Sequence, residues 1–358
     1  MNYFEKALSI LDEIEKYGYE SYIVGGAVRD YILKKELNDI DITTNMPLEL
    51  IKKHFNVVEN GILYDSLIIK DEYEFEITHY RIDVSYENHR HPIIKETNNI
   101  YDDLKRRDFT INSLIMDKSK NIIDVYNGID DIKGKKIKAI GDAKIRFEED
   151  ALRILRALYF SSKLDFEIED DTLSAMINEK KLLSSLSDER LIDYFYKIIY
   201  SSSKKGINYI NKYDLFEFIP KYKKLLNLVD KFEKSDLKLA YYFIYNEYFS
   251  NEKELKRKIN IISYLINNNF DNYSIYLYQN EIDDFIILFK ALGYDELKIK
   301  NIKDNLALKN EKLALDKKEF ALMFEGKTIN YKIELVTKAI LDKKIKNTKE
   351  DILEFLKR

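Results

Sequence analysis

The chain has 358 residues, 45% of them hydrophobic and 34% charged, which is the balance of a soluble globular protein with room for two or three domains. It contains no cysteine, so disulfides and thiolate metal sites are excluded and a reducing, cytoplasmic setting is expected; no apolar run approaches the ~20 residues of a membrane span. The net charge of −4 does not favour a nucleic-acid partner, and RNA binding would therefore depend on local patches of Lys and Arg.

The first predicted element is an amphipathic helix rather than a signal peptide. Its hydrophobic residues recur at helical spacing: Phe4, Ala7, Leu8, Leu11 and Ile14. Gly18 is expected to end this helix, because glycine readily takes the left-handed conformation that follows many helices.

Residues 21–45 predict a strand, a glycine turn, a short helix and a second strand that carries Asp39 and Asp41. Residues two apart on a strand point to the same side of a sheet, so the two carboxylates are expected to face one small volume. Oxygen ligands of this kind suit a hard divalent cation such as Mg2+, together with the phosphates of a substrate. The alternative is that both acids are merely solvated.

The glycine turn predicts a place for those phosphates. Gly25 and Gly26 have no Cβ, so a ligand can approach the backbone closely. The helix that opens near Ala27 offers free N–H groups, and Arg29 adds a positive charge one turn later. Either motif alone is weak, since most such turns and acid pairs have no catalytic role.

Together, the Gly-Gly turn, the Arg-Asp pair on the helix and the sequence DIDI on the next strand resemble the first motif of the class II polymerase-beta-like nucleotidyltransferases. That branch comprises the tRNA nucleotidyltransferases and the bacterial poly(A) polymerases. The resemblance implies nucleotidyl transfer by two metal ions on an α+β head domain.

A helix from Pro47 to about His54 is predicted next, followed by short strands over residues 56–61, 64–70 and 73–81. The last two strands are expected to form a hairpin within a mixed sheet. Glu76, in the third of them, is the candidate for a third catalytic carboxylate; the alternative is an ordinary outward-facing strand acid. Residues 83–99 are polar and without periodicity, which predicts a mobile loop.

Residues 105–117, KRRDFTINSLIMD, resemble the RRDFTxNA segment of the same family. The resemblance implies that Arg107 meets the triphosphate and that Asp108 accepts a hydrogen bond from the ribose 2′-hydroxyl, by which a protein can prefer ribonucleotides. Asn112 is a further candidate for the sugar. The alternative is a helix terminus with a buried Arg-Asp pair, and Arg106 is expected to be structural.

Residues 122–131, IIDVYNGIDD, resemble the connecting motif of the family, with Asn127-Gly128 in place of Gly-Gly. Asparagine also tolerates a positive φ, so the turn is expected to survive. The sheet domain is predicted to end near Gly141, where the chain leads into a long helix.

That helix contains FEEDALRILRALYF, in which spacings of three place Asp150, Arg153 and Arg156 along one face. The Watson–Crick edges of cytosine and adenine present an amino donor beside a ring-nitrogen acceptor, and those of guanine and uracil present the opposite order. An Asp acceptor beside an Arg donor therefore matches C and A and leaves buried polar groups unpaired against G and U. The alternative is a surface salt-bridge ladder.

The pattern E-D-x-x-R also matches the base-selecting motif of the family. It implies that Asp150 and Arg153 read the base and that Arg156 lies close to the nucleotide. Tyr159 is a departure, because the family commonly has Arg at that position.

Residues 187–197, SDERLIDYFYK, resemble the next family segment, with Tyr194 where an acid is frequent. From residue 204 onward the sequence predicts only helices, and the resemblance is faint.

The predicted architecture is an α+β nucleotidyltransferase head (1–141), a helical neck (142–205) and a helical body and tail that bind tRNA (206–358). The predicted function is template-independent addition of C, C and A to the 3′ end of tRNA from CTP and ATP, with Mg2+ as cofactor. CC-adding, A-adding and poly(A)-adding enzymes are alternatives within this chemistry. A non-catalytic tRNA-binding protein and an enzyme that nucleotidylates a small molecule or a protein are alternatives from other classes.

Overall fold

The computed structural model describes residues 2–59, 66–87, 91–227, 229, 234–245, 253–309 and 311–357. Its contacts divide the chain into two compact units, Met1–Lys223 and Lys224–Arg358. All of the described strands belong to the first unit. The three-part division expected from the sequence, with boundaries near residues 141 and 205, stays a prediction.

The strands of the first unit are β1 (Ser21–Val24), β2 (Asp41–Thr44), β3 (Val57–Glu59), β4 (Ser66–Lys70), β5 (Glu74–His79), β6 (Arg81–Glu87), β7 (His91–Glu96), β8 (Leu114–Met116), β9 (Ile122–Asp124), β10 (Lys136–Ile137) and β11 (Glu167–Ile168). Its helices are α1 (Tyr3–Lys16), α2 (Gly26–Ile32), α3 (Leu48–His54), α4 (Ile100–Lys105), α5 (Gly128–Lys133), α6 (Ala143–Glu149), α7 (Leu152–Leu164), α8 (Asp170–Asn178), α9 (Asp188–Ile199) and α10 (Lys205–Tyr213), and α11 (Pro220–Leu226) lies at the division. Two short 3-10 helices span Thr110–Asn112 and Lys180–Ser185.

A mixed sheet forms the centre of the first unit, with the strand order β3-β4-β5-β2-β1-β8-β9. β1 pairs antiparallel with β2, and Val24 at its end lies opposite Asp41. β2 pairs parallel with β5, which places Asp41 opposite Glu76. β4 and β5 form the predicted hairpin. The register therefore brings the glycine turn after β1 beside the first residue of β2.

Local sequence patterns account for the faces of these elements. The predicted N-terminal helix is confirmed as α1, which packs against β1 and buries one apolar stripe: Ala7, Leu8, Ile10, Leu11 and Ile14. In β5, Phe75 and Ile77 are buried whereas Glu74 and Glu76 are exposed, as the two-residue period of a strand requires. The core thus lies between the sheet and its covering helices.

The prediction of a mobile loop over residues 83–99 is wrong. β6 and β7 pair antiparallel and form a separate two-stranded ribbon. Val84 and Ile93 are 61% and 51% exposed, so the side chains of the ribbon that the structure describes form no buried face, which would have produced an alternating hydrophobic pattern. Residues 88–90, which include His89, lie outside the described residues.

The single long helix predicted around Asp150 is also wrong, because the chain forms α6 and α7 with a break between them. Asp150 has φ −142° and ψ 101°, an extended conformation that ends α6. Its Oδ1 accepts a hydrogen bond from the Leu152 N–H at 3.0 Å, near the start of α7. Aspartate commonly competes with helical hydrogen bonding in this way, which explains why spacing alone misplaced it.

The second unit consists of helices where it is described: α12 (Lys234–Tyr245), α13 (Lys253–Asn267), α14 (Asn272–Leu277), α15 (Ile282–Ala291), α16 (Glu296–Asp304), α17 (Lys317–Ala321), α18 (Lys327–Leu341) and α19 (Lys349–Lys357). α14 packs against α16 and α18, and α12 packs against α15. Within the described ranges of the whole chain, no helix combines the length and the apolarity needed to cross a bilayer.

The turn at Asn127-Gly128 takes the expected form, with Asn127 in the left-handed conformation at φ 59°. Gly128 is required there for a second reason. A Cβ at Gly128 would lie 2.3 Å from the carbonyl oxygen of Thr110, which leaves no room for a side chain. The turn therefore packs directly on the 3-10 helix that contains Asn112.

Gly128→Ala is expected to lower the free energy of unfolding by about 1–3 kcal/mol, because the backbone at Thr110 must move to admit the methyl group. Urea denaturation followed by circular dichroism measures the change. Gly134→Ala is the matched control at the end of the same helix, since its φ of −76° suits alanine and its new Cβ would meet nothing closer than 3.3 Å. Equal stability of the two variants would contradict this account of the turn.

Candidate active site

One cavity of the first unit, about 820 Å³ in volume, contains most of the predicted site residues. Eleven of the twelve line it: Gly25, Gly26, Arg29, Asp39, Asp41, Arg107, Asp108, Asn112, Asp150, Arg153 and Arg156. The twelfth, Glu76, does not. The residues come from the turn after β1, the start of β2, the segment after α4, and α7. Segments far apart in the sequence therefore converge on one volume.

Asp39 and Asp41 face this cavity at the start of β2. The prediction that both lie on the strand is wrong for Asp39, because β2 begins at Asp41. Neither carboxylate forms a hydrogen bond or a salt bridge within the described part of the chain. Burial and then the negative charges of Asp39 and Glu76 raise the pKa of Asp41 to about 6, although Arg107 acts in the opposite direction. An acid pair without a bonded protein cation suits a divalent metal ion.

Glu76 lies on β5 directly beside Asp41 and is exposed. Among the described residues, no three His, Cys, Asp or Glu side chains are grouped so that they could hold a metal ion. The role of Glu76 as a third carboxylate therefore stays a prediction.

The glycine turn packs closely against Arg107. Gly25 has φ 72°, and a Cβ built on it would lie 3.3 Å from Arg107 Nη1. The absence of a side chain at Gly25 thus lets the guanidinium reach the backbone of the turn. Any anion that approaches Gly25 and Gly26 meets the positive charge of Arg107.

Arg29 is only 2% exposed, and its guanidinium is fully engaged inside the protein. Nε and Nη2 donate to the two carboxylate oxygens of Asp30, each at 2.9 Å, and Nη1 donates to Asn112 Oδ1 at 2.6 Å. Phe160 covers it, with the ring centroid 5.4 Å away. Arg29 thus organises the wall of the cavity in addition to contributing charge.

Asp103 is the buried centre of a second ion-pair group, and the sequence analysis missed it. It is 0% exposed; its Oδ1 accepts from Arg106 Nη2 at 2.7 Å and its Oδ2 from Arg107 Nη2 at 2.9 Å. Burial opposes ionisation, but the charges of Arg107 and Arg106 hold the pKa of Asp103 below its ordinary value. The signal was present in the sequence, because Asp103 precedes the two arginines by three and four residues on α4.

Asp108 connects the sheet-bearing part of the cavity to α7. Its Oδ1 accepts from the Phe109 N–H at 2.8 Å and from Asn112 Nδ2 at 3.2 Å, and its Oδ2 accepts from Arg156 Nε at 2.5 Å. Arg156 Nη1 in turn donates to the hydroxyl of Tyr194 at 3.2 Å. Against the effect of burial, Arg156 keeps the pKa of Asp108 below the ordinary value. Oδ1 already accepts two hydrogen bonds, whereas Oδ2 accepts one and retains acceptor capacity for a ligand hydroxyl.

Arg153 is 6% exposed, and both of its terminal nitrogens have two acceptors. Nη1 donates to Glu149 Oε2 at 2.8 Å and to the carbonyl of Arg146 at 2.9 Å. Nη2 donates to the hydroxyl of Tyr86 at 3.0 Å and to the carbonyl of Arg106 at 3.1 Å. A ligand that hydrogen-bonds to these nitrogens must displace one of the four acceptors.

Tyr86 belongs to the ribbon that sequence reasoning took for a loop, so nothing in the sequence indicated its contact with Arg153. Burial raises the pKa of Tyr86 to about 12, and its hydroxyl stays protonated and donates to Asp83 Oδ2 at 2.6 Å. Glu149, by contrast, was detectable, since it precedes Arg153 by four residues as salt-bridge partners on helices often do.

Relatives of known identity decide the family. Residues 21–138 match a family model described as the poly(A) polymerase head domain, and residues 165–226 match one described as a probable RNA and SrmB-binding site of polymerase A. The CCA-adding enzyme of Oceanobacillus iheyensis is 33% identical over an alignment that covers 99% of this chain and 97% of that enzyme. The chain belongs to the CCA-adding enzyme and poly(A) polymerase family of tRNA nucleotidyltransferases. A CCA-adding enzyme of Streptococcus pyogenes is 38% identical over 67% of this chain, and the match spans 63% of that relative.

Solved structures of CCA-adding enzymes share the fold. The Bacillus stearothermophilus CCA-adding enzyme in complex with CTP matches with a TM-score of 0.71 at 23% identity, over 99% of this chain and 97% of that one. The Thermotoga maritima CCA-adding enzyme complexed with tRNA matches with a TM-score of 0.62 at 20% identity, over 98% and 94% of the two chains. The predicted α+β head followed by helices, and the family resemblance, are therefore confirmed.

Asp103→Asn is expected to lower the free energy of unfolding by about 3–5 kcal/mol at pH 7, because it leaves two largely buried guanidinium groups without their carboxylate. The folded-state pKa of Asp103 is lowered, so this contribution is present above the ordinary Asp range near pH 4 and is lost as the pH falls through the lowered pKa.

Urea denaturation of the Asp103 variant at several pH values tests this ion-pair group. Asp102→Asn is the control on the same helix, since Asp102 accepts only a part-buried hydrogen bond from Thr97. The deficit of Asp103→Asn should shrink in acid, and a deficit independent of pH would contradict the ionic origin.

Proposed function

We propose that this chain adds C, C and A to the 3′ end of tRNA, without a nucleic-acid template, from CTP and ATP. The observation that carries the proposal is that an acid pair suited to a metal ion and the predicted base-reading residues, Asp150 and Arg153, line the same cavity. A binding protein without catalysis needs no such acid pair. The cytoplasmic location expected from the composition stays a prediction.

The names of structural neighbours support these substrates. One is a CCA-adding enzyme in complex with CTP, another is a CCA-adding enzyme complexed with tRNA, and a third is a tRNA nucleotidyltransferase complexed with a primer tRNA and an incoming ATP analogue. Relatives of this kind favour CCA addition over the alternatives from other enzyme classes.

Asp39 and Asp41 are the residues that would hold the metal, and their chemistry fits Mg2+. Both offer only oxygen ligands, and both lack a hydrogen bond or salt bridge within the described residues, so a cation would offset the burial and the repulsion that together raise the pKa of Asp41. Two bound Mg2+ ions would lower the pKa of the attacking hydroxyl and neutralise the charge that develops on the leaving group.

The remaining groups of the cavity position the nucleotide. The glycine turn and Arg107 hold the triphosphate so that the terminal ribose hydroxyl of the RNA attacks the α-phosphorus in line. A new O–P bond forms at the α-phosphorus while its bond to the β-phosphate oxygen breaks, and pyrophosphate leaves with those electrons. Asp108, held by Arg156, accepts a hydrogen bond from the ribose 2′-hydroxyl.

Base selection follows from hydrogen-bond order. Asp150 accepts from the exocyclic amino group of C or A, and Arg153 donates to the adjacent ring nitrogen. Guanine and uracil would place a carbonyl acceptor against the Asp150 acceptor and an N–H donor against the Arg153 donor. Each unpaired buried group of this kind costs about 1–3 kcal/mol, so two of them give discrimination of about 30-fold to about 10,000-fold.

Asp39→Asn and Asp41→Asn are each expected to reduce nucleotide incorporation by about a thousandfold or more, since each removes a charged metal ligand. The measurement is transfer of labelled CMP to tRNA that lacks its 3′ end, with thermal melting to show that the fold persists. Glu36→Gln is the matched control, because Glu36 lines the same cavity but is exposed and outside the acid pair. Turnover retained in the double variant Asp39→Asn/Asp41→Asn would refute the metal assignment.

Asp150→Ala is expected to relax the rejection of GTP and UTP by about tenfold or more relative to CTP and ATP, because the acceptor that disfavours them is gone. Incubating truncated tRNA with each labelled nucleotide singly and together, and reading product length on a gel, measures selectivity and shows how many residues are added. Glu148→Ala, two residues earlier on an exposed position, is the control. Undiminished rejection of GTP and UTP by the Asp150 variant would refute its role in base reading.

A further inference from the structure

The cavity continues along α7 beyond the residues assigned so far. Arg153, Arg156, Phe160 and Lys163 lie on one helical face and all line it, and Tyr159 lines it beside them. At 1.5 Å per residue, Lys163 lies about 15 Å along the helix from Arg153. Lys163 is exposed and Tyr159 is partly exposed, so this end of the cavity is open to solvent.

Each of the arginines that line the cavity and have been described above forms an ion pair with a protein carboxylate, although Asp103 is shared with Arg106 and Glu149 with Arg146. Arg29 pairs with Asp30 at 2.9 Å, and Arg107 with Asp103 at 2.9 Å. Arg153 pairs likewise with Glu149 at 2.8 Å, and Arg156 with Asp108 at 2.5 Å.

Lys163 differs from these arginines. In the described part of the chain its ammonium group has no carboxylate partner, and it lies 5.6 Å from the centre of the Tyr159 ring. Lys35, an exposed lysine that also lines the cavity, likewise has no carboxylate partner among the described residues. Lys163 is thus a cation that the protein has not neutralised, next to an aromatic ring.

The ring of Tyr159 is held in a fixed orientation. Tyr194 packs edge-on against it, with the centroids 6.1 Å apart and the planes at 84°. Tyr194 itself is 6% exposed and is anchored through its hydroxyl to Arg156. The hydroxyl of Tyr159 has no hydrogen-bond partner among the residues that the structure describes. A rigid, partly exposed ring of this kind is suited to stack on a nucleobase.

We propose that Tyr159 and Lys163 form a subsite for the 3′-terminal nucleotide of the acceptor RNA. Tyr159 stacks on its base and Lys163 binds its phosphate, which is the combination by which proteins hold single-stranded nucleic acid. The incoming nucleotide already has the glycine turn, Arg107 and the base-reading pair. The acceptor strand is the larger ligand and needs an entrance that is open to solvent, and Tyr159 and Lys163 lie at such an opening. This subsite rests on the proposed function.

The sequence pattern that this chain resembles commonly has Arg where the chain has Tyr159. The proposed subsite is therefore a feature of this chain and not of the pattern. The positive charge that an arginine would have contributed is supplied instead from Lys163, one turn further along α7. The substitution thus exchanges a charged contact for a stacking surface and keeps a cation beside it.

The test uses the full chain with truncated tRNA and CTP. Tyr159→Ala is expected to raise the KM for tRNA at saturating CTP by at least about fivefold, the effect typical of losing one stacked base, while the KM for CTP at saturating tRNA changes less than twofold. Tyr159→Phe keeps the ring and is expected to recover most of the affinity. A rise in the KM for CTP alone would assign these residues to the triphosphate and overturn the proposal, and so would unchanged KM values for both substrates.

The lysine is tested by salt dependence. Lys163→Met is expected to reduce the slope of log Kd against log salt concentration for labelled tRNA by about 0.7, the value for one phosphate contact to a single strand. Lys181→Met, an exposed lysine outside the cavity, should leave the slope unchanged. An unchanged slope for Lys163→Met would overturn the phosphate contact. Binding measured by fluorescence anisotropy needs no turnover, so it tests the subsite independently of catalysis. Failure of the wild-type protein to incorporate CMP would contradict the proposed function and not the subsite.

Discussion

An ion pair and a charged hydrogen bond between the segment after α4 and helix α7 hold the two halves of the cavity together. Asp108 binds Arg156 at 2.5 Å, and the carbonyl of Arg106 accepts from Arg153 at 3.1 Å. The segment that supplies Arg107 to the glycine turn is therefore the same segment that anchors the helix with Arg153, the proposed base-reading arginine. The proposed in-line transfer needs phosphate and base to be positioned together, and charged hydrogen bonds in a largely buried setting favour such rigidity.

Charge is distributed unevenly in the cavity. Arg29, Arg107, Arg153 and Arg156 have carboxylate partners, but two of these carboxylates are shared with Arg106 and Arg146, so the arginines shape the cavity and keep part of their positive charge. Asp39 and Asp41 have no bonded cation in the part of the chain that is described, and neither lysine of the cavity has a bonded anion there. The protein thus pairs the arginines that shape the cavity and leaves two acids and two lysines without a bonded counterion among the described residues. An exposed lysine without a partner costs little free energy, whereas the unpaired and partly buried Asp41 shows the cost of burial as a raised pKa.

Elements with a buried face were predictable from the sequence. α1, the hairpin of β4 and β5 and the strand–turn–helix–strand unit around Gly25 were all expected, because hydrophobic period and glycine chemistry are local. The ribbon of β6 and β7 was not predictable, because its described side chains form no buried face that would produce an alternating hydrophobic pattern. The break at Asp150 was missed since a capping carboxylate and a helical carboxylate look alike in sequence. Residue chemistry, spacing and the family resemblance together identified eleven residues of the cavity, but a partner such as Tyr86 depends on a contact between distant segments.

The hydroxyl of Tyr86 acts as an internal competitor for Arg153. A base that hydrogen-bonds to Nη2 has to replace that hydroxyl, or the carbonyl of Arg106, and the free energy of the lost contact is subtracted from the affinity of every nucleotide alike. Such a uniform penalty weakens binding without altering the ratio between correct and incorrect bases. The ribbon thereby lowers the affinity of Arg153 for any base without contributing to the choice between bases.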